Sequence, residues 1–296
     1  MRTAARSYFA FLLVLLAAML LAAIASPWVQ WLLAPISVFP LHRVFSRLML
    51  LGLIAGTAWL VMRRHRDRRA LLGLHRPLPQ FLRRALAGWL AGIALMVVAV
   101  APLVLLELRE WNARFPAEMS EWLALASGAA GTGLVVALIE ETLFRGAMQG
   151  VLQRIGAMRW ALFAVPLLYS AVHFLGNETR VPADQVNAWS GFVVLGGLFS
   201  AFAEPLRILD AFVALYFVGL LLALVRQRWG DLAACIGLHA GFVAVIAVFR
   251  RISTPAADNS WSFLVGSFDG LLGPWIAMIT ALVCLVLRTR GLRTAV

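Results

Sequence analysis

Residues 122–152 read WLALASGAAGTGLVVALIEETLFRGAMQGVL. From Trp122 to Ile139 the run carries no charge; Glu140, Glu141 and Arg145 then follow in quick succession. A helix needs ~20 apolar residues to cross ~30 Å of hydrocarbon, and this run is long enough. Charged side chains within a span are expensive, so the two glutamates and the arginine mark the segment as more than an anchor.

Seven further segments share the apolar character: Tyr8–Ile24, Val44–Met62, Ala85–Leu106, Trp160–Leu175, Ile208–Val225, Leu232–Phe249 and Leu271–Leu287. The whole chain of 296 residues is 62% hydrophobic and only 14% charged, with no stretch polar enough for a soluble domain. The expectation is an all-α polytopic membrane protein, a single integral domain over 1–296. It has about eight transmembrane helices around a buried polar catalytic centre. Trp28–Pro40 is Trp-rich and holds two prolines, so it reads as interfacial. Phe192–Phe202 is too short to span and reads as a re-entrant or surface helix. Arg2 and Arg6 precede the first apolar run, and Ala23-Ile24-Ala25 resembles a signal-peptidase site. The many later spans favour an uncleaved first transmembrane helix.

The net charge of +12 comes from arginine alone, since no lysine is present. The arginines cluster between apolar runs, which is the positive-inside pattern and not that of a nucleic-acid binder. Arg2 and Arg6, Arg63 to Arg69, Arg83 and Arg84, Arg154 and Arg159, Arg226 and Arg228, and Arg288 to Arg293 all fall on the cytoplasmic side of an eight-span chain. Arg250 and Arg251 are the exception. Glu107, Glu110, Glu118 and Glu121 gather in an outer loop and read as its solvated face. The Arg-only, Ala/Leu-rich composition points to a bacterial inner membrane, with the lipid bilayer as the first partner.

Three ionisable groups sit at comparable depth. Measured from the cytoplasmic helix ends at 1.5 Å per residue, Glu140 lies ~18 Å in, His173 ~20 Å and His239 ~11 Å. At 100° per residue, Arg145 lies ~40° from Glu141 and ~140° from Glu140. Glu141 and Arg145 therefore form an i,i+4 ion pair with a supporting role, and Glu140, facing away, is the candidate base. Each residue taken singly has a plainer reading, as a helix–helix hydrogen bond or a structural ion pair; their convergence argues for chemistry. Tyr169, His42, His65 and His75 read as packing or loop residues. Cys235 and Cys284 lie in apolar runs and imply no disulfide. Cys235 shares a helix face with His239 but reads as a packing residue.

Glu140-Glu141-Thr142-Leu143-Phe144-Arg145 resembles the EExxxR motif of the CPBP family, the CAAX-prenyl-protease and bacteriocin-processing (Abi) intramembrane endopeptidases. Tyr169 to His173 resembles its FxxxH motif, with Tyr in place of Phe. Gly219 to Gly241 resembles the segment carrying its HxxxN motif. The resemblance covers approximately 128–250. It implies that Glu140 and His173 activate water for attack on a peptide carbonyl and that His239 stabilises the oxyanion. The substrate would be a membrane-associated protein or peptide. Val243 stands where the family pattern has Asn or Asp, and Asn177 is the nearest substitute donor. Two other readings use the same residues. In one, Glu140, His173 and His239 ligate a divalent metal, no other cofactor being called for. In the other, the chain is a non-catalytic scaffold or immunity protein, a reading that Val243 favours.

Overall fold

The computed structural model describes residues 2–36, 39–176, 179–256 and 259–292. In chain order the helices are α1 (Arg2–Leu33), α2 (Leu41–Arg64), α3 (Arg68–Leu72), α4 (Leu78–Leu105) and α5 (Met119–Glu141). After a π-helical stretch (Thr142–Met148) come α6 (Gln149–Arg154), α7 (Met158–Val172), α8 (Ser190–Gly197), α9 (Pro205–Trp229), α10 (Ala233–Ile252) and α11 (Pro274–Leu292). Each of the eight apolar segments has its helix. Six are long and apolar enough to cross a membrane, the π stretch joining α5 and α6 into one of them, while Met158–Val172 and Pro274–Thr289 are shorter. The chain is an all-α polytopic membrane protein. Its residues form two compact units, Met1–Arg68 with Ala171–Ile208 and Arg69–Ser170 with Leu209–Val296.

The first unit is built on α1, α2 and α8. Ala22, Ala23, Phe45, Val194 and Leu198 form its buried centre. At 32 residues α1 is ~48 Å long, more than the hydrocarbon thickness. It runs through Trp28 to Leu33, so much of the stretch expected at the interface is its last turns. The expected short helix is α8, eight residues long, followed by a 3-10 turn at Ser200–Ala203. Gly191 brings α8 against α1: a Cβ there would lie 1.9 Å from the Ala23 carbonyl oxygen.

The second unit centres on α10, held between α4 and α5. Small residues let the backbones touch. A Cβ on Gly92 would lie 2.3 Å from the Leu238 oxygen, and one on Gly88 2.5 Å from the Ala234 oxygen. The contact order rises together on both helices, so α4 and α10 run in parallel. On the other side, a Cβ on Gly133 would lie 2.5 Å from the Ala240 oxygen. Without a hydrophobic drive between helices in lipid, such close packing supplies much of the association. Leu232, Ile236 and Ala240 fill the seam with Ala137.

Both ends of the parallel pair are tied. At the start of α10, buried Asp231 accepts from Arg84 at 2.6 Å and from Arg76 at 3.3 Å. At the far end, two short strands, β1 (Arg109–Trp111) and β2 (Ser253–Pro255), pair antiparallel with Arg109 opposite Pro255. This ribbon had no signal in the apolar pattern. Buried Arg109 donates to the Ser253 carbonyl and to the Gly270 carbonyl, each at 2.7 Å. Burial, and then the Arg250 guanidinium, lower its pKa. Arg250 itself pairs with Asp269, which offsets a charge that breaks the positive-inside pattern. Glu118 and Glu121, read as loop surface, form the capping box that opens α5.

Positive-inside alternation predicts that position 66 faces the cytoplasm. The test is cysteine labelling of Arg66→Cys in a background of Cys235→Ala and Cys284→Ala, both native thiols being buried. Reagent confined to the outer side should leave position 66 unlabelled; labelling there overturns the topology.

Candidate active site

The helix that carries Glu140 and Glu141 changes character immediately after them. It is α-helical to Glu141 and π-helical over Thr142–Met148, where the Gln149 amide donates five residues back to Phe144. Ideal α-helical angles therefore do not hold beyond Glu141, although the predicted pair survives. Arg145 Nη1 donates to Glu141 Oε1 at 3.0 Å, and both side chains are fully buried. Such π segments recur at functional sites because they re-aim side chains within a helix.

Side chains of the π segment and α6 clasp α9. Arg145 Nη2 donates to the Gly219 carbonyl at 3.0 Å, and Gln149 Nε2 to the Ala223 carbonyl at 2.9 Å. Arg226 returns the contact, donating to the Arg145 carbonyl at 3.3 Å. The Arg145 guanidinium also lies over the Tyr169 ring, 4.3 Å from its centroid.

Glu141 Oε1 has a second partner that the sequence did not reveal. His239 Nδ1 lies 2.8 Å away, so a single oxygen accepts from both Arg145 and the imidazole. A carboxylate oxygen accepts, so Nδ1 carries the proton and the ring is fixed in orientation. His239 Nε2 is turned toward Glu140, 3.9 Å from Oε2. The Tyr169 ring stands edge-on to the imidazole at 6.2 Å between centroids. Glu141 thus joins a structural cation to the candidate site instead of merely neutralising Arg145. Glu140 is more open, with 28% of its side chain accessible against none for Glu141.

The ~7 Å difference in estimated depth between Glu140 and His239 does not separate them. Side-chain reach and the tight α5–α10 seam bring the two together. His173 departs from expectation. Helix α7 ends at Val172 and tightens into a turn, with Phe174 N–H donating to Ala171 and Leu175 N–H to Val172. His173 is the first residue past the helix, is exposed, and belongs to the first unit. Tyr169, set aside as packing, touches both Arg145 and His239; its place four residues before His173 was the available signal. Val243 is half-buried one helical turn beyond His239, within unbroken α10. Asn177 lies outside the described residues. Cys235 is a packing residue, buried, with Sγ 3.5 Å from the Leu222 carbonyl.

Residues 122–245 match the family described as type II CAAX prenyl endopeptidase Rce1-like. Over this stretch, which is less than half of the chain, the sequence is similar to the CAAX-protease family. No curated protein and no solved structure matches the chain. The matched stretch holds Glu140, Glu141, Arg145, His173 and His239, and so spans both motif glutamates and both histidines. For a metal, the matched segment offers Glu140 and His239 Nε2. Among the described residues no three His, Cys, Asp or Glu side chains are grouped to hold an ion. That donor set falls short of the three protein ligands of a catalytic zinc centre.

Proposed function

We propose that the protein is an intramembrane endopeptidase that hydrolyses a peptide bond of a membrane-associated protein or peptide. Glu140 and His173 activate the attacking water, and His239 stabilises the oxyanion. The observation that carries the reading is the fixed imidazole, with Nδ1 committed to Glu141 and Nε2 directed at Glu140. His173 enters on its motif position alone.

In the first step Glu140 takes a proton from water while the resulting hydroxide attacks the carbonyl carbon. The carbonyl oxygen becomes an oxyanion, to which His239 Nε2–H donates. The C–N bond then breaks, and the leaving amine takes the proton held by Glu140. Nε2 can donate only when both ring nitrogens are protonated, since Nδ1–H already serves Glu141. In that form the formal charges of Arg145, Glu141, His239 and Glu140 sum to zero.

The substrate is best described broadly, as a membrane protein, propeptide or signal remnant, because no feature of the sequence selects a prenylated C-terminus. The test compares peptides in membranes of cells carrying wild-type or Glu140→Gln protein. Wild type should generate cleavage products that the variant lacks. Identical patterns would overturn the proposal.

Val243 provides a second measurement. Positions 239 and 243 are i,i+4 neighbours on α10, and an amide at 243 could donate to the oxyanion where Val cannot. One such donor is typically worth ~10²–10³ in rate. Val243→Asn should raise single-turnover cleavage if no other donor serves. An unchanged rate in Val243→Asn that falls when Asn177→Ala is added would assign that role to Asn177.

A further inference from the structure

A cavity of about 810 Å³ opens between α7, α9 and α11, all within the second unit. None of Glu140, Glu141 and His239 lines it. Each of the three helices contributes one arginine to the lining: Arg159, Arg228 and Arg288. Arg159 lies in the first turn of α7, and the other two lie near the last turns of α9 and α11. Among the described residues that line the cavity none is acidic. Beyond the arginines the walls are largely apolar, with Leu162 and Phe163 from α7, Leu220 and Leu224 from α9, and Leu285 from α11.

The cavity has the length of one leaflet. Along α9 the lining runs from Arg228 back to Tyr216, twelve residues or ~18 Å. Half the hydrocarbon core of a bilayer is ~15 Å. All three arginines lie on the side that the charge alternation assigns to the cytoplasm. A cation cluster at the headgroup level above an apolar slot of acyl-chain length suits an amphiphile with an anionic head. A polypeptide is a poorer fit, because an extended backbone would face leucine and phenylalanine walls that offer its N–H and C=O groups no partners.

We propose that this cavity is a binding site for an anionic phospholipid of the cytoplasmic leaflet. Arg159, Arg228 and Arg288 hold the phosphate, and the acyl chains lie against the leucines of α9 and Phe163. Guanidinium forks match phosphate oxygens and remain charged beside lipid. Basic pockets between transmembrane helices on the cytoplasmic side bind anionic headgroups by the same physics. The site is independent of the peptidase reading and goes beyond it.

The experiment is native mass spectrometry of the full chain released from detergent, with phosphatidylglycerol, phosphatidylcholine and inorganic phosphate as separate probes. Wild type should retain phosphatidylglycerol in preference to phosphatidylcholine and should not lose it to inorganic phosphate. Each basic residue at an anionic membrane surface is worth on the order of a fivefold preference. The triple variant Arg159→Gln, Arg228→Gln, Arg288→Gln should therefore bind phosphatidylglycerol on the order of 100-fold more weakly. Ala281→Trp narrows the slot without altering the arginines and should weaken retention of either lipid, so the test stays decisive if the triple variant fails to fold. Equal retention of the two lipids by wild type, undiminished phosphatidylglycerol binding in either variant, or displacement by inorganic phosphate would overturn the proposal.

Discussion

Glu140→Gln will leave the protein folded and inserted while lowering turnover by roughly 10²–10⁴, the usual contribution of a positioned general base. Glutamine keeps the size of the side chain and its hydrogen-bonding reach but takes no proton from water at neutral pH. Glu140 is partly accessible, so the exchange strands no buried charge. Glu141→Gln behaves differently. It removes the anion between Arg145 and His239 in a fully buried setting, where breaking one partner of an ion pair costs ~3–5 kcal/mol. That variant should lose thermal stability in detergent as well as turnover. Replacing both partners, as Glu141→Leu with Arg145→Met, should recover much of the stability, because an apolar pair of similar volume is often neutral. Turnover should not return, since His239 still lacks the acceptor that orients it. A stable and slow Glu141→Gln beside an active but unstable Glu140→Gln would reverse the two assignments.

Gly237→Ala will disrupt the second unit although it adds a single methyl group. The new Cβ would lie 1.9 Å from the Ala85 carbonyl oxygen and 2.7 Å from the Trp89 amide nitrogen. Both are backbone atoms of α4 and cannot swing aside as a side chain would. Overpacking typically costs ~1–3 kcal/mol, and a clash with backbone belongs at or above the top of that range. The shift also moves His239, two residues along α10, so turnover should fall with stability. Gly128→Ala and Gly131→Ala on α5 are the controls, since a Cβ at either meets nothing within 4 Å. Each should be neutral or gain up to ~1 kcal/mol from better helix propensity. Melting curves of the three variants decide the matter; a Gly237→Ala protein as stable as wild type would show that the α4–α10 contact is loose.

The sequence carries the spans well because lipid leaves a chain few alternatives: each backbone polar group must be satisfied within the segment. All eight helices could be placed from hydropathy and arginine position. The Glu141–Arg145 pair was legible for a related reason, i,i+4 geometry being local. His239 beside Glu141 was not, because it depends on how closely two helices approach. Gly133 sets that approach, as Gly88, Gly92 and Gly237 set the one between α4 and α10, and small residues give no hydropathy signal of which helix they face. The end of α7 was misread by three residues. His173 consequently lies past the helix and not within it, since apolar Phe174 and Leu175 extend the hydropathy run beyond the helical hydrogen bonds. The π segment was invisible because nothing in Thr142–Met148 demands it; its carbonyls and side chains find partners on α9 that only the folded chain supplies.

The glycine-lined seams also limit how a substrate can arrive. A peptide strand needs about 4.7–4.9 Å between its own backbone and a neighbouring one. Between α4 and α10, and between α10 and α5, not even a methyl group fits at Gly88, Gly92, Gly133 or Gly237. Those two seams are closed gates. A polypeptide bound for Glu140 cannot slip sideways from lipid past either of them without prising the helices apart, so traffic to the carboxylates is channelled to the faces that α10 does not seal.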